Sequence, residues 1–520
     1  MTLLEIVSMG SACAPGALML LAMLPPQRQA VTTRGIWRTF ITMSWVALVF
    51  SALAALTAAN VQNLELWLHP TQLGAGLAVL VQLLGTVIGV FSSRYLEGEQ
   101  RQRRYVTALA GVLAAVQLLL LADHWAVLII AWALVGVALQ HLLCFYPDRP
   151  FALLAAYKKR IADRIADVLL LGAAALAWSE VGSGSLSALW AHIEREGMST
   201  ALQFSAVGLV LAVILRTALL PVHGWLIQVM EAPTPVSALL HAGVVNLGGF
   251  VLIRFAPLLE QATPARSLLI AFGLGTAVLA GLVMLTRISI KMRLAWSTVA
   301  QMGFMLLECG LGLYTLAALH LIGHSLYKAH AFLSASTVVR ETRLQFMRGA
   351  LSPAPLSLLV APALAVGVVS LTQGVVSAAA WPWWWSAVMG LAWAPMLWLS
   401  SQRTSVREIF LHGLSGLVMI AGLTFAALLA HALPWGVRDV PHHTLGVLTL
   451  VGMAALYLCL VVLQLRPQSM RGWRRWSYAG FYVDEVYTRL ALQLWPGRWT
   501  PQASHTDIPL APAVAADAHP

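Results

Sequence analysis

Three ionisable residues, His320, His324 and Lys328, recur at i, i+4 and i+8 inside one apolar run. That spacing stacks them on a single helix face. Imidazole titrates near neutrality, and a lysine held out of water between helices can exchange its proton, so groups in this order can form a proton wire. The same pattern also suits plain packing, in which buried polar side chains hydrogen-bond neighbouring helices together. Two histidines at i, i+4 can hold a metal. Here, however, no glutamate stands between them in His-Glu-x-x-His order, and no cysteine is near. The four cysteines (Cys13, Cys144, Cys309 and Cys459) lie singly in apolar runs, with no CxxC or Cys/His spacing.

Other ionisable groups sit in equally apolar surroundings. Asp167 opens one run, with Arg164 one turn before it on the same face. Arg216 lies inside the next run and is followed by Pro221 and His223. Glu231 and His241 bracket the stretch Glu231-Ala-Pro-Thr-Pro-Val-Ser-Ala-Leu-Leu-His241, and Glu308 lies near the end of a further run. A charge at membrane depth costs roughly 3 kcal/mol or more, so each such group is a functional candidate. Proline removes a helix hydrogen bond and frees a carbonyl. Pro233 and Pro235 therefore predict a broken helix, which is tolerated where it lines a cavity or is covered by protein. A simple kinked loop between two helices is the other reading.

The elements that carry these groups are set by composition. The chain has 520 residues, 59% of them hydrophobic and only 10% charged, with a mean hydropathy of +0.78. Too few charges exist to build the polar shell of a soluble fold. About fifteen apolar runs reach membrane length. The first, Leu3 to Leu24, has no basic region before it and reads as a membrane helix, not as a cleaved signal. The expected fold is an all-α polytopic membrane protein.

The connections alternate in charge. One set holds Arg28, Arg34, Arg38, Arg94, Arg101, Arg103, Arg104, Arg149, Lys158, Lys159, Arg160 and Arg164, then Arg287, Lys291, Arg293, Arg340, Arg343, Arg348, Arg403 and Arg407, and the tail adds Arg466, Arg471, Arg474 and Arg475. The other set is poor in Lys and Arg and holds Glu65, Asp123, Glu180, Glu194, Glu196, Glu260 and Asp439. Roughly 26 basic residues fall on one side and about four on the other, which predicts a bacterial inner-membrane protein with a periplasmic amino terminus and a cytoplasmic carboxyl terminus. The net charge of +11 is thus a topology signal. No soluble segment interleaves aromatic and basic residues, so nucleic acid is not an expected partner. No phosphate loop, nucleophile elbow or dinucleotide fingerprint stands out, and no soluble domain offers room for a cofactor. The expectation is a transporter or channel subunit, not an enzyme.

Past the last run, residues 467–498 hold a Trp/Arg cluster and an amphipathic stretch from Phe481 to Trp495, expected to lie on the inner membrane surface. Residues 499–520, rich in Pro and Ala, are expected to be disordered.

The stretch Trp225-Leu-Ile-Gln-Val-Met-Glu231-Ala-Pro-Thr-Pro-Val-Ser-Ala-Leu-Leu-His241-Ala resembles the signature of the antiporter-like membrane subunits of respiratory NADH dehydrogenase and of multisubunit sodium/proton antiporters. Lys291-Met-Arg-Leu-Ala-Trp-Ser-Thr-Val-Ala-Gln-Met-Gly and His320-Leu-Ile-Gly-His324-Ser-Leu-Tyr-Lys328-Ala support it, and the likeness covers roughly residues 70–345. The resemblance implies two inverted five-helix repeats, each with a broken helix, joined by a central hydrophilic axis. On that plan residues 1–105 and 401–466 are flanking transmembrane helices, 106–257 the first repeat and 258–400 the second. It also implies that Lys328 and its two histidines pass protons between half-channels. His241 would link the broken helices, Arg164 and Asp167 would tune entry, and Glu231 and Glu308 would line the path.

Three departures stand out. Ala133 occupies the place of the family's span-five glutamate, Arg216 replaces its span-seven lysine, and Val369 to Gly374 lack its distal lysine. Arginine does not readily release a proton, so Arg216 reads as a fixed charge. The wording His223-Gly-Trp-Leu-Ile-Gln-Val-Met and the tail Phe481-Tyr-Val-Asp-Glu-Val-Tyr resemble, within this family, the membrane subunits of two-part inorganic-carbon transporters. That likeness implies proton-driven uptake of carbon dioxide or bicarbonate. It also implies a DabA-like, carbonic-anhydrase-like zinc protein as partner on the cytoplasmic face, with the zinc in that partner and no cofactor in this chain. A proton-pumping subunit of NADH dehydrogenase or of a Na+/H+ antiporter is the alternative. A scaffold that has lost transport is a third reading, favoured by Ala133 and Arg216 in place of the glutamate and lysine and opposed by the retained His320, His324 and Lys328 stripe.

Overall fold

In lipid every backbone polar group must be satisfied within the segment, and a helix does this alone. A computed structural model of the chain describes residues 3–24, 33–60, 67–335, 353–376, 381–401, 405–466, 468 and 470–495. The 499–520 tail and residues Arg28, Glu65, Arg340, Arg343, Arg348 and Arg403 lie outside the described residues.

The helices run in the order α1 Leu3–Met23, α2 Thr33–Thr57, α3 Gln72–Tyr95, α4 Gln102–Leu120, α5 Trp125–Leu143, α6 Pro150–Val181, α7 Leu186–Glu196 and α8 Thr200–Arg216. They continue with α9 Gly224–Gln228, α10 Thr234–Ala242, α11 Leu247–Arg254, α12 Ala256–Gln261, α13 Thr263–Leu285, α14 Ile290–Leu311 and α15 Tyr314–Leu333. The last are α16 Pro355–Val376, α17 Trp383–Trp393, α18 Val406–His431, α19 His443–Leu465, α20 Arg471–Tyr478 and α21 Val483–Leu494. Among the described residues 11 helical spans are long and apolar enough to cross a membrane, counting Thr234–Arg254 as one. The remaining runs expected from sequence are also helical: α6, whose first turns are charged, α8, α15 and α17. Strand pairing among the described residues is limited to isolated bridges such as Leu68 with Ala122.

Hydrophobic burial does not drive helices together in lipid, so close backbone contact and internal polar bonds do. Gly273 of α13 and Gly303 of α14 face each other so closely that a Cβ on either would lie 2.7 Å from the other's carbonyl oxygen. Ser44 of α2, Thr86 and Gln82 of α3 and Gln117 of α4 form a buried polar ladder, with Ser44 Oγ 2.7 Å from Thr86 Oγ1 and Gln82 Nε2 donating to Ser44 Oγ at 2.9 Å.

The two ends of the bundle differ. At one end Tyr146 donates to Glu99, Arg149 to the Glu231 carbonyl at 2.6 Å, and Lys291 to Thr234 at 2.9 Å, while the Arg287 guanidinium lies over the Tyr478 ring. At the opposite end Asp123 pairs with Arg254 and accepts from Ser187 at 2.5 Å, and Val440 N–H donates to the Gly312 carbonyl at 2.9 Å. The described basic connections that hold Arg94 to Arg104, Arg149 and Arg287 to Arg293 thus share one face, as the charge pattern predicts.

The proline-rich break differs in detail from the sequence expectation. Pro233 and Pro235 do not interrupt a helix. They begin α10, where a missing N–H costs nothing because first-turn donors have no intrahelical partner. The chain breaks on either side of them. After α8, Ala218 takes the left-handed conformation at φ 55°, which costs a non-glycine residue about 1–2 kcal/mol. After α10, Gly243 leaves the helical region at φ −127° and ψ −70°.

Candidate functional site

The helix carrying the histidine stripe, α15, starts from a turn whose Thr315 N–H donates to Asp439 Oδ1 at 2.7 Å. A carboxylate there satisfies an orphan donor and opposes the positive end of the helix dipole. Burial pushes the Asp439 carboxyl above the usual carboxylate range, and the bond from Thr315 pulls it back. From this anchored start the i, i+4 spacing places His320, His324 and Lys328 along one inward face. His320 is half-buried, His324 is 6% exposed and Lys328 0%.

The adjacent helix α14 supplies partners at both ends of the row. Near one end, Glu308 of α14, 3% exposed, lies with Oε2 2.8 Å from His320 Nδ1. Near the other, Lys328 Nζ donates to the Leu294 carbonyl at 2.9 Å. Glu308 and Leu294 are separated along α14 by about 20 Å of helix rise. Between them the His320 and His324 rings stand 6.1 Å apart, nearly perpendicular.

The break after α10 closes on the same row. His241, fully buried, stacks at 4.7 Å on Phe332, one turn beyond Lys328. Asn246 Nδ2 donates to the Ala242 carbonyl at 3.0 Å and to Ser325 Oγ at 2.7 Å, which ties the unwound segment 243–246 to α15. Neither ring nitrogen of His241 or of His324 has a hydrogen-bond partner among the described residues. Buried polar groups left in that state cost about 1–3 kcal/mol each, and water is their natural partner. A small cavity of about 20 Å³ beside the unwound segment is lined mainly by leucines, with Asn246 and Ser325 as its polar side chains, and neither histidine borders it.

The Arg216 and Asp167 group is different in kind. Asp167 pairs with Arg216 and, through its other oxygen, with Arg164 at 3.3 Å. Arg216 also donates to the Trp132 carbonyl at 2.8 Å and lies over the Trp132 ring. The guanidinium is 4% exposed and the Arg164 side chain 66%. With Ala133 beside Trp132, no glutamate is available there, and Asp167 supplies the counter-charge instead. This is a fixed ion pair. No hydrogen bond or ion pair links it to the α15 row among the described residues.

Glu231 does not join either group. It is exposed, and only its backbone carbonyl is engaged, by Arg149. Conversely Lys158, which the sequence places among the basic connection charges, is fully buried and paired with Asp484. No group of three or more His, Cys, Asp or Glu residues suited to a metal occurs among the described residues.

Residues 122–352 match the family described as NADH:quinone oxidoreductase/Mrp antiporter, transmembrane. The chain is 38% identical over 448 residues to the "Probable inorganic carbon transporter subunit DabB" of Hydrogenovibrio crunogenus, covering 83% of this chain and 84% of that one. It is 41% identical over 346 residues to DabB2 of Halothiobacillus neapolitanus, covering 63% of each. A more distant relative, NADH-ubiquinone oxidoreductase chain 5 of Metridium senile, is 31% identical over 311 residues, 58% of this chain and 52% of that one. Among solved structures, the Mrp complex from a Dietzia species superposes with a TM-score of 0.60 at 22% identity, over 93% of this chain and 60% of that one. That likeness concerns the fold alone.

Proposed function

Since the chain belongs to the DabB family of antiporter-like membrane subunits, within the NADH:quinone oxidoreductase/Mrp antiporter family, we propose that it conducts protons to drive inorganic-carbon uptake. The observation that carries this reading is the inward row Glu308, His320, His324, Lys328 on α14 and α15, with His241 of the adjacent broken helix stacked on Phe332 one turn beyond it. Protons enter the row at the Glu308–His320 pair, hop between imidazoles through intervening water, and reach Lys328, whose ammonium is held by one carbonyl. The two five-helix repeats, 106–257 and 258–400, form the half-channels on either side of this row. Asp167, Arg164 and Arg216 act as a permanent charge cluster that sets the field near the entry and does not itself shuttle protons. Glu231 has no part in the row.

The chain sits in a bacterial inner membrane with its carboxyl terminus in the cytoplasm, as the Lys/Arg bias supports. A DabA-like zinc subunit on that face carries out the carbon chemistry, and the zinc belongs to it. The test is affinity purification of this chain in mild detergent with mass spectrometry of bound proteins, followed by reconstitution. We expect one large zinc-containing partner, proton-driven bicarbonate accumulation, and loss of that accumulation in Lys328→Ala with the complex still assembled. Recovery of a set of quinone-reductase or antiporter subunits would replace this reading, and wild-type accumulation by Lys328→Ala would remove the row from the mechanism.

A further inference from the structure

At the basic end of the bundle a second buried cluster of acid and base groups stands apart from the α15 row, and part of it comes from the far end of the sequence. Lys158 of α6 is 0% exposed. Its ammonium pairs with Asp484 of α21 and donates to Thr488 Oγ1 at 2.8 Å, while Tyr487 OH donates to the Lys158 carbonyl at 2.8 Å. The second Asp484 oxygen accepts from Gln228 Nε2 of α9 at 3.1 Å. The carboxylate lies against Gly224, the first residue of α9, so closely that a methyl group there would overlap it.

Beside Gly224 is His223, 1% exposed, which closes the break after α8. Neither of its ring nitrogens has a hydrogen-bond partner among the described residues, and its ring stands 4.9 Å from that of Trp296. Asp484 retains 27% side-chain exposure. The cluster therefore runs from a carboxylate in touch with solvent to a buried, unpartnered imidazole at the break. A clamp for the C-terminal helix needs the ion pair alone. It does not need an unsatisfied histidine behind it, whose burial costs stability unless water or a proton occupies the site.

We propose that Asp484, Lys158 and His223 form the cytoplasmic proton port of this chain, so that the C-terminal helix is part of the conduction path and not only a membrane-surface anchor. This rests on the proton-conducting reading above. Each step moves one proton with no redox change: the Asp484 carboxylate gains it at the solvent side and loses it to a His223 nitrogen, directly or through one water. Lys158 holds the carboxylate in place.

The test uses the full chain with its co-purified partner in vesicles, with proton flux read by an internal pH dye under an imposed potential. Docking of α21 is read separately, by trypsin protection of Arg489. For Asp484→Asn we expect at least a tenfold loss of flux with Arg489 still protected. We also expect partial rescue by an added weak acid, above the leak of identically treated Lys328→Ala vesicles. Undiminished flux in Asp484→Asn overturns the port while leaving the α15 row standing. Flux that falls only in step with loss of Arg489 protection, as a comparison with Asp484→Ala would reveal, reduces the cluster to a clamp and also overturns it. A loss in Asp484→Asn alongside normal flux in Lys328→Ala keeps the port and removes the row. A wild-type complex that passes no protons overturns both.

Discussion

Single residues in this chain separate by whether they can let go of a proton. Lys328 and His324 are buried with few or no partners, whereas Arg216 is locked by Asp167, the Trp132 carbonyl and the Trp132 ring. The row and the ion pair should therefore fail differently. Glu308→Gln removes the carboxylate beside His320 and is expected to cut proton flux by about 10²-fold or more, the usual scale for a lost proton-transfer group, with unchanged thermal stability within about 1 kcal/mol. Vesicle flux and detergent melting of the same preparation check this, and normal flux would exclude Glu308 from the path. Asp167→Asn leaves the Arg216 charge buried and unpaired and should cost about 3 kcal/mol, seen as a lower melting temperature. The double variant Asp167→Asn/Arg216→Gln should recover most of that loss. A double variant no more stable than Asp167→Asn would mean that the charge pair is not what the site depends on.

Elements were legible where the signal is local. The apolar runs and the i, i+4, i+8 stripe need only the 3.6-residue period, and each expected run carries helix over most of its described length, with the runs after Thr200 and after Thr234 interrupted at Thr217 and Gly243. The break was legible only in part, because proline marks both helix interruptions and helix starts. What decides between them is whether the previous turn still supplies a carbonyl at i−4, and at Pro233 and Pro235 it does not. Gly243, the actual interruption beside His241, carries no such flag. Partners far apart in sequence were not legible: Asp167 and Arg216 lie 49 residues apart and Lys158 and Asp484 326 apart, and no periodicity links them. Close packing of α13 on α14 follows the same logic, since it depends on which glycines meet. Gly273→Val should be destabilising by roughly 1–3 kcal/mol through overpacking against Gly303 and Leu307. Gly275→Val, two residues on with open space around it, should be near neutral. Fluorescence-detected size exclusion of the two variants distinguishes them, and equal profiles would show that α13 and α14 are not held by this contact.

At the scale of the whole molecule the arrangement has two polarities that must agree. One is electrostatic: the Lys/Arg-rich connections share one face with α20, α21 and the Lys158–Asp484 pair. The other is chemical: on the proposed reading, a port opening on that face serves a cytoplasmic partner only if the face is itself cytoplasmic. Retention of Lys and Arg on the cytoplasmic side during insertion predicts the first polarity, and on the proposed reading the second follows from it. Single cysteines in a background lacking the four native ones check both at once. Arg103→Cys, Ile288→Cys and Trp476→Cys, all at exposed positions on the basic face, should react with an impermeant maleimide only in inside-out vesicles. Glu196→Cys and Arg438→Cys, exposed on the opposite face, should react only in intact spheroplasts. Uniform reversal of the two sets would keep the fold but turn the Asp484 port outward, where it could not serve a cytoplasmic partner. Mixed labelling within either set would break the shared face itself, and with it the reading of Lys158, Asp484 and His223 as one opening.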